Sequence, residues 1–167
     1  MNKINGVVIG TVKSLKDPKN LGRIEVYFPW LSDDNKSHWA RVATLMAGPG
    51  RGSWFMPEEK DEVLVAFEHG DTSFPYIVGF LWNGQDKPPL NDPQKRLIRS
   101  VNGHEIEIYD PDIKGGDLGY IRLKDAQGNQ IELANGRISI SSIGGITINA
   151  PSVVINGRPV APIPSPI

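Results

Sequence analysis

The sequence predicts an all-β chain built in two chemically different parts, and three observations carry that prediction. Eighteen glycines and 14 prolines are spread through 167 residues, and nowhere does an apolar stripe hold a 3.6-residue period for three turns. Apolar residues come instead in short β-branched or alternating runs, the pattern of strands. The composition is also lopsided: 11 of the 13 aromatics precede residue 83, and no acidic residue follows Glu132.

In the first part the strands can be read in order. Val7 to Val12 is a β-branched run, and Asp17-Pro18-Lys19-Asn20 with Leu21-Gly22 supplies turn chemistry. Arg23 to Phe28 alternates, placing Ile24, Val26 and Phe28 on one face, and Pro29 ends the run because proline cannot donate to a ladder. A third strand is expected over Trp39 to Leu45, followed by the glycine-rich loop Ala47 to Gly52. Glu62 to Phe67, closed by His69-Gly70-Asp71, is the fourth, and Tyr76 to Leu81 the fifth. Five strands in so short a stretch predict a small closed barrel of the OB type over residues 1–82. Residues 83–97 are polar and proline-rich, a linker composition.

The second part has another rhythm. Apolar dyads recur as Ile106/Ile108, Ile121/Leu123, Ile131/Leu133, Ile138/Ile140, Ile146/Ile148 and Val153/Ile155, separated by Gly, Asn, Ser and Ala. Strands that short bury two side chains each and cannot make a core alone. Stacked periodic strands suggest a solenoid or prism. Rungs of 7 to 8 residues are too short for a single-chain β-helix, so several chains are expected to supply one wall each. The expectation is an intertwined homotrimeric β-helix or β-prism needle over residues 98–156. Its trimer core would comprise Ile121, Leu123, Ile131, Leu133, Ile138, Ile140, Ile146, Ile148, Val153 and Ile155. A small β-meander packed on the barrel is the alternative. Residues 157–167 hold four prolines and favour an extended tip.

Several ordered motifs then carry a resemblance. They are Leu21-Gly22-Arg23-Ile24-Glu25-Val26-Tyr27-Phe28-Pro29-Trp30, Trp39-Ala40-Arg41-Val42-Ala43-Thr44, Ala47 to Gly52, the block Pro57 to Asp71, Pro75 to Gly79, and Leu81 to Gly84. With Arg99 to Ile106, Asp125 to Asn129 and Ile146 to Pro151, they make the chain similar to the phage baseplate assembly protein V / VgrG-type spike family. The resemblance implies a homotrimeric central spike of a contractile phage tail or injection system, with barrels as a collar and a needle driven through the target cell envelope by sheath contraction. It implies a structural protein and no enzyme. The match begins near residue 6, so a separate baseplate hub protein is the expected partner at the barrel end. No lysozyme-like insertion is expected, and the absence of a histidine after His104 argues against an apical iron. A PAAR-type tip protein is one expected partner for Pro162, Ile163, Pro164 and Ile167, and a frayed terminus is the alternative.

Composition narrows the rest. Zero cysteines exclude disulfides, thiolate metal sites and a cysteine nucleophile. Basic and acidic side chains nearly balance at 18 and 19, which gives no electrostatic attraction for nucleic acid. No segment approaches the roughly 20 apolar residues of a membrane helix, and the first residues carry no signal-peptide pattern. Synthesis in the cytoplasm followed by assembly into a particle is therefore expected. His38, His69 and His104 lack metal-ligand spacing, and Asp110, Asp112 and Asp117 lack that of a calcium loop. Gly48-Pro49-Gly50-Arg51-Gly52 lacks the Lys-Ser/Thr of a phosphate loop. Glu58/Glu59 and Asp61/Glu62 are adjacent pairs at a turn rather than carboxylates facing across a cleft. No catalytic residue, cofactor or metal is expected. The rival reading is an OB-fold binder of nucleic acid or oligosaccharide that stacks its ligand on Tyr27, Trp30, Trp39, Trp54 and Trp82.

Overall fold

The computed structural model describes residues 3–31 and 37–159. The chain divides into two compact units, Met1–Pro88 and Pro89–Ile167.

The first unit contains β1 (Val7–Ser14), β2 (Ile24–Tyr27), β3 (Ser37–Val42), β4 (Ala47–Gly48), β5 (Arg51–Gly52), β6 (Glu62–Phe67) and β7 (Pro75–Leu81). Five of them close a barrel in the order β1-β2-β3-β7-β6. Neighbours are antiparallel except β3 and β7, which run parallel through Arg41↔Tyr76 and Val42↔Ile77. β4 and β5 pair only with each other, so the glycine-rich segment is a small hairpin outside the barrel. The third strand starts at Ser37 and stops at Val42, earlier than the apolar run to Leu45 suggests, and Leu45 lies 92% exposed.

Alternation sets the core. Ile24, Val26 and Phe28 from one side, with Val63, Val65 and Phe67 on β6, point inward together with Val12, Ala40 and Ile77. Phe28 sits at the centre of an aromatic group, 5.6 Å from both Trp30 and Phe67. The barrel closes tightly only because position 10 is glycine: a Cβ there would lie 2.4 Å from Val26 Cγ1.

One buried charge pins the β1–β2 turn. Asp17 accepts backbone N–H bonds from Lys19 (3.0 Å), Leu21 (2.8 Å) and Arg23 (3.3 Å), and the Arg23 guanidinium closes on it at 2.6 Å. That guanidinium, reinforced by the backbone donors, holds the Asp17 carboxyl well below the usual carboxylate range. The contribution of this group is therefore present above an ordinary Asp value of about 4 and lost as pH falls towards the lowered folded value. Thermal melts of the wild type and Asp17→Asn should differ by a constant amount above about pH 5, with the wild type more stable. The gap should begin to narrow as the pH drops below about 4 and close only towards the lowered folded value. A gap that does not narrow at all between about pH 5 and about pH 2.5 would show that the charge is not what the turn uses.

The second unit contains β8 (Lys95–Arg99), β9 (Glu105–Tyr109), β10 (Tyr120–Lys124), β11 (Gln130–Ala134) and β12 (Arg137–Ser141), followed by β13 (Val154–Ile155) and β14 (Arg158–Pro159). The first five form one antiparallel sheet in chain order. β8 lies partly within the stretch that composition marks as linker. Its Lys95 and Arg96 look like linker charges but pair with Glu107 and Asp110. Two turns are three-residue loops with glycine third, Val101-Asn102-Gly103 and Ala126-Gln127-Gly128, with φ of +88° and +98° at the glycines. Asp125 ties the second by accepting from the N–H groups of Gln127 and Asn129. Asn135-Gly136, with φ of +49° and +75°, makes the two-residue hairpin between β11 and β12. Residues 142–153 carry no strand, and β13 pairs only with β14. No helix among the described residues is long and apolar enough to cross a membrane. Pro162, Ile163, Pro164 and Ile167 lie outside the described residues.

Candidate assembly surface

The register of the second-unit sheet sorts its side chains into two unlike faces. Ile98, Ile106, Leu123, Ile131 and Ile140 stand opposite one another across all five strands. Ile108, Ile121, Leu133 and Ile138 form a second row, which Arg96 ends at the β8 edge. These nine apolar side chains are 39–70% exposed, so the sheet presents a bare aliphatic face.

The opposite face is polar and largely satisfied by its own pairs. Arg122 donates to Glu132 at 2.6 Å and approaches Glu107 at 3.5 Å, with its guanidinium 4.1 Å from the Tyr120 ring centroid. The Tyr120 hydroxyl donates to Glu107 at 2.5 Å, Lys95 lies 3.6 Å from the same carboxylate, and Arg99 pairs with Glu105. Burial pushes Glu107 up, but the Tyr120 hydroxyl and the Lys95 and Arg122 cations outweigh it and hold the carboxyl below its ordinary value. Glu107 is only 7% exposed. Burial is thus inverted: the charged face is covered by its own side chains, and the aliphatic face is left exposed among the described residues. A soluble chain rarely leaves such a face uncovered.

Of the expected core residues, Ile121, Leu123, Ile131, Leu133, Ile138 and Ile140 share this face. Ile146 follows at its margin, where a shallow hollow of about 650 Å³ is lined by Ile98, Ile106, Leu123, Ile131, Ile140 and Ile146. Ile148 and Val153 lie outside any strand, and Ile155 is in the separate β13–β14 pair. The face also takes in Ile98, Ile106 and Ile108. The last two formed a visible dyad, whereas Ile98 follows Leu97 in a run with no alternating signal.

The barrel's aromatics do not form one platform. Trp30 packs on Phe28 and Phe67, and Trp39 lies under the Arg23 guanidinium. Trp54 and Trp82 are largely exposed, and Tyr27 is at the edge of exposure. Trp54 rests on Gly22, beside a cleft of about 640 Å³ shared with Arg41, Arg51, Met46 and Met56. The histidines are dispersed: His38 packs near Phe28, His69 occupies a tight turn at φ +49°, and the Nδ1 of His104 accepts from the Ala126 N–H. Asp110 pairs with Arg96, Asp117 caps Gly119, and Asp61 accepts from the Glu58 N–H. Among the described residues no three His, Asp or Glu side chains gather into a group able to hold a metal ion.

A closed five-stranded barrel whose third and last strands run parallel defines an OB-type fold. Residues 8–82 match the type VI secretion system/phage-baseplate injector OB domain. The chain is 34% identical over 113 residues to the type VI secretion system spike protein VgrG5 of Pseudomonas aeruginosa, an alignment covering 65% of this chain and 14% of that protein. It is 31% identical over 117 residues to the spike protein VgrG3 of Vibrio cholerae (64% and 12%). It is 31% identical over 124 residues to VgrG1a of P. aeruginosa (66% and 19%). The chain therefore spans less than a fifth of the length of these curated relatives. Residues 8–82 are under half of the chain, so alignments covering about two thirds of it reach beyond the barrel.

Proposed function

We propose that three copies of this chain form the central spike at the baseplate of a contractile phage tail or contractile injection system, and that sheath contraction drives the spike through the target envelope. The observation that carries this reading is the bare aliphatic face in a chain whose barrel matches the baseplate-injector OB domain. The role is mechanical, without catalysis or cofactor.

Geometry favours three walls over four. A five-residue strand spans about 17 Å at about 3.4 Å per residue, and an equilateral triangle of that side has an inradius of about 5 Å. That is half the roughly 10 Å at which two sheets pack face to face. Three walls with their aliphatic rows inward therefore fill the axis with side chains. Four walls would stand about 8 Å from the axis, beyond the roughly 5 Å that side chains reach from one sheet, and would leave the centre unfilled. Covering nine half-exposed aliphatic side chains per chain, at roughly 1 kcal/mol each, yields on the order of 25 kcal/mol per trimer before association and ordering costs. The paired charged ladder of Glu107, Arg122 and Glu132 would then face water, where its polarity belongs.

In this reading the barrels form the collar that meets a separate hub protein, and the end of the chain seats a PAAR-type tip. Localisation follows from assembly into the particle. Labelling the chain in purified contractile particles tests it: an axial density at the baseplate end is expected, and label along the sheath or its absence from particles contradicts the role.

A further inference from the structure

A groove on the barrel has a chemistry that the spike reading does not use. It crosses Trp54, with the cleft of about 640 Å³ on one side and a second hollow of about 580 Å³ on the other. Gly22, Trp54 and Met56 line both hollows, and Met56 also packs against the buried core, so the floor stands on the barrel itself. One wall is the β1–β2 turn that Asp17 ties. The other is the β4–β5 hairpin, whose base is held by the Ser53 N–H donating to the Met46 carbonyl (2.9 Å) and the Thr44 hydroxyl donating to the Ser53 carbonyl (2.7 Å). Trp54 lies across the groove only because position 22 is glycine: a Cβ there would stand 2.9 Å from its ring.

Two properties define what fits. The first is apolar area: Leu21, Met46, Trp54 and Phe55 are each more than half exposed. An exposed apolar patch with a polar rim marks a binding surface, and methionine adapts to side chains of different shape. The second is charge. Arg41 and Arg51 line the first hollow and no acidic residue does. Lys16 lines the second, whose one carboxylate, Asp17, is already neutralised by Arg23. Lys16 and Arg51 form no ion pair with a described residue, and Arg41 is held over the Tyr76 ring at 5.5 Å. Arg51 is kept beside the groove by folding over Gly48, where a Cβ would meet its guanidinium carbon at 3.0 Å.

We infer that this groove docks a peptide segment of a partner protein in which acidic residues flank large apolar ones. The apolar side chains enter the hollows on either side of Trp54. The carboxylates meet Arg41 and Arg51 at one end and Lys16 at the other, as charge complementarity requires. The hairpin and the turn are tied in place before binding, so little ordering cost falls on the barrel. A nucleic-acid strand suits the groove less: it presents a phosphate at every nucleotide, whereas these cations are separated by Leu21, Met46 and Phe55. The site lies in the first unit, and it does not depend on the covering of the aliphatic sheet.

A displayed library of random peptides, selected in parallel on the full wild-type chain and on Trp54→Ala, tests this. Enriched peptides are synthesised and titrated by calorimetry. The expected sequences carry large apolar residues flanked by Asp or Glu. They should bind the wild type at least tenfold more tightly than either Trp54→Ala or Arg51→Glu, at least threefold more tightly than Lys16→Glu, and less tightly as salt rises. Lys16→Glu and Arg51→Glu change exposed charges alone, so the test stands even where Trp54→Ala loosens the barrel. No enrichment over Trp54→Ala, enriched sequences without an acidic excess, or equal affinity for Arg51→Glu would overturn the site. Displacement of the peptide by a lower concentration of single-stranded oligonucleotide would give the groove to nucleic acid and overturn it too. A lower assembly mass for Arg51→Glu than for the wild type would place a second copy of this chain there, which also contradicts the inference.

Discussion

The Ile131→Asp protein is expected to run as a monomer at micromolar concentrations where the wild type runs as a trimer. Ile131 lies inside its row, between Leu123 on β10 and Ile140 on β12. In a separate chain the position is 39% exposed, so a carboxylate there stays hydrated and costs the sheet little. In the trimer three carboxylates would meet near one axis with no cation among the aliphatic rows. Burying each costs several kcal/mol, about 10 kcal/mol or more for the assembly. Light scattering reads the loss, and an unchanged far-ultraviolet spectrum separates it from unfolding. Ile131→Val should remain trimeric, because it keeps the face apolar. Normal trimer yield from the aspartate variant would mean that the Ile rows face solvent in the assembled protein.

Phe28→Ala should have the largest effect on the barrel. Phe28 is fully buried, and its ring touches the Trp30, Phe67 and His38 group at the centre of the core. Truncating a buried phenylalanine costs about 3–5 kcal/mol, against a typical total of about 5–15 kcal/mol for a whole domain. For a unit of this size the loss corresponds to a fall in Tm of more than about 10 °C. Near-ultraviolet circular dichroism, which reports the aromatic group, should lose its signal in that transition. The trimer contact is expected to survive at temperatures where the barrel is still folded, since the aliphatic face lies in the other unit. Tyr27→Ala, at the edge of exposure and next to Phe28 in the chain, should cost far less.

Much of the barrel was legible because one face of each strand is buried and the other is not, which writes alternation into the sequence. Ile24, Val26 and Phe28 are the clearest case. The second unit was legible in its dyads but not in its strand lengths. The residues flanking two of the dyads are charged or aromatic, Glu105 and Tyr109 around Ile106/Ile108 and Tyr120 and Lys124 around Ile121/Leu123, and they lie on the polar face of the same strands. Read alone, those charges look like turn residues. Lys95 and Arg96 misled most, since nothing local marks them as partners of Glu107 and Asp110. Asn135-Gly136 and Asn156-Gly157 were readable hairpin signals, with both residues of each pair at positive φ. The dispersal of the tryptophans could not be read from sequence, because Trp30 and Trp39 differ from Trp54 only in what their neighbours are.

The account stands on the covering of the aliphatic face by two further copies. The solution mass of the full chain, measured by light scattering at micromolar concentration, addresses that most directly. Three chains of 18.3 kDa give a particle of about 55 kDa, which is the predicted result. A single species at 18.3 kDa would contradict it.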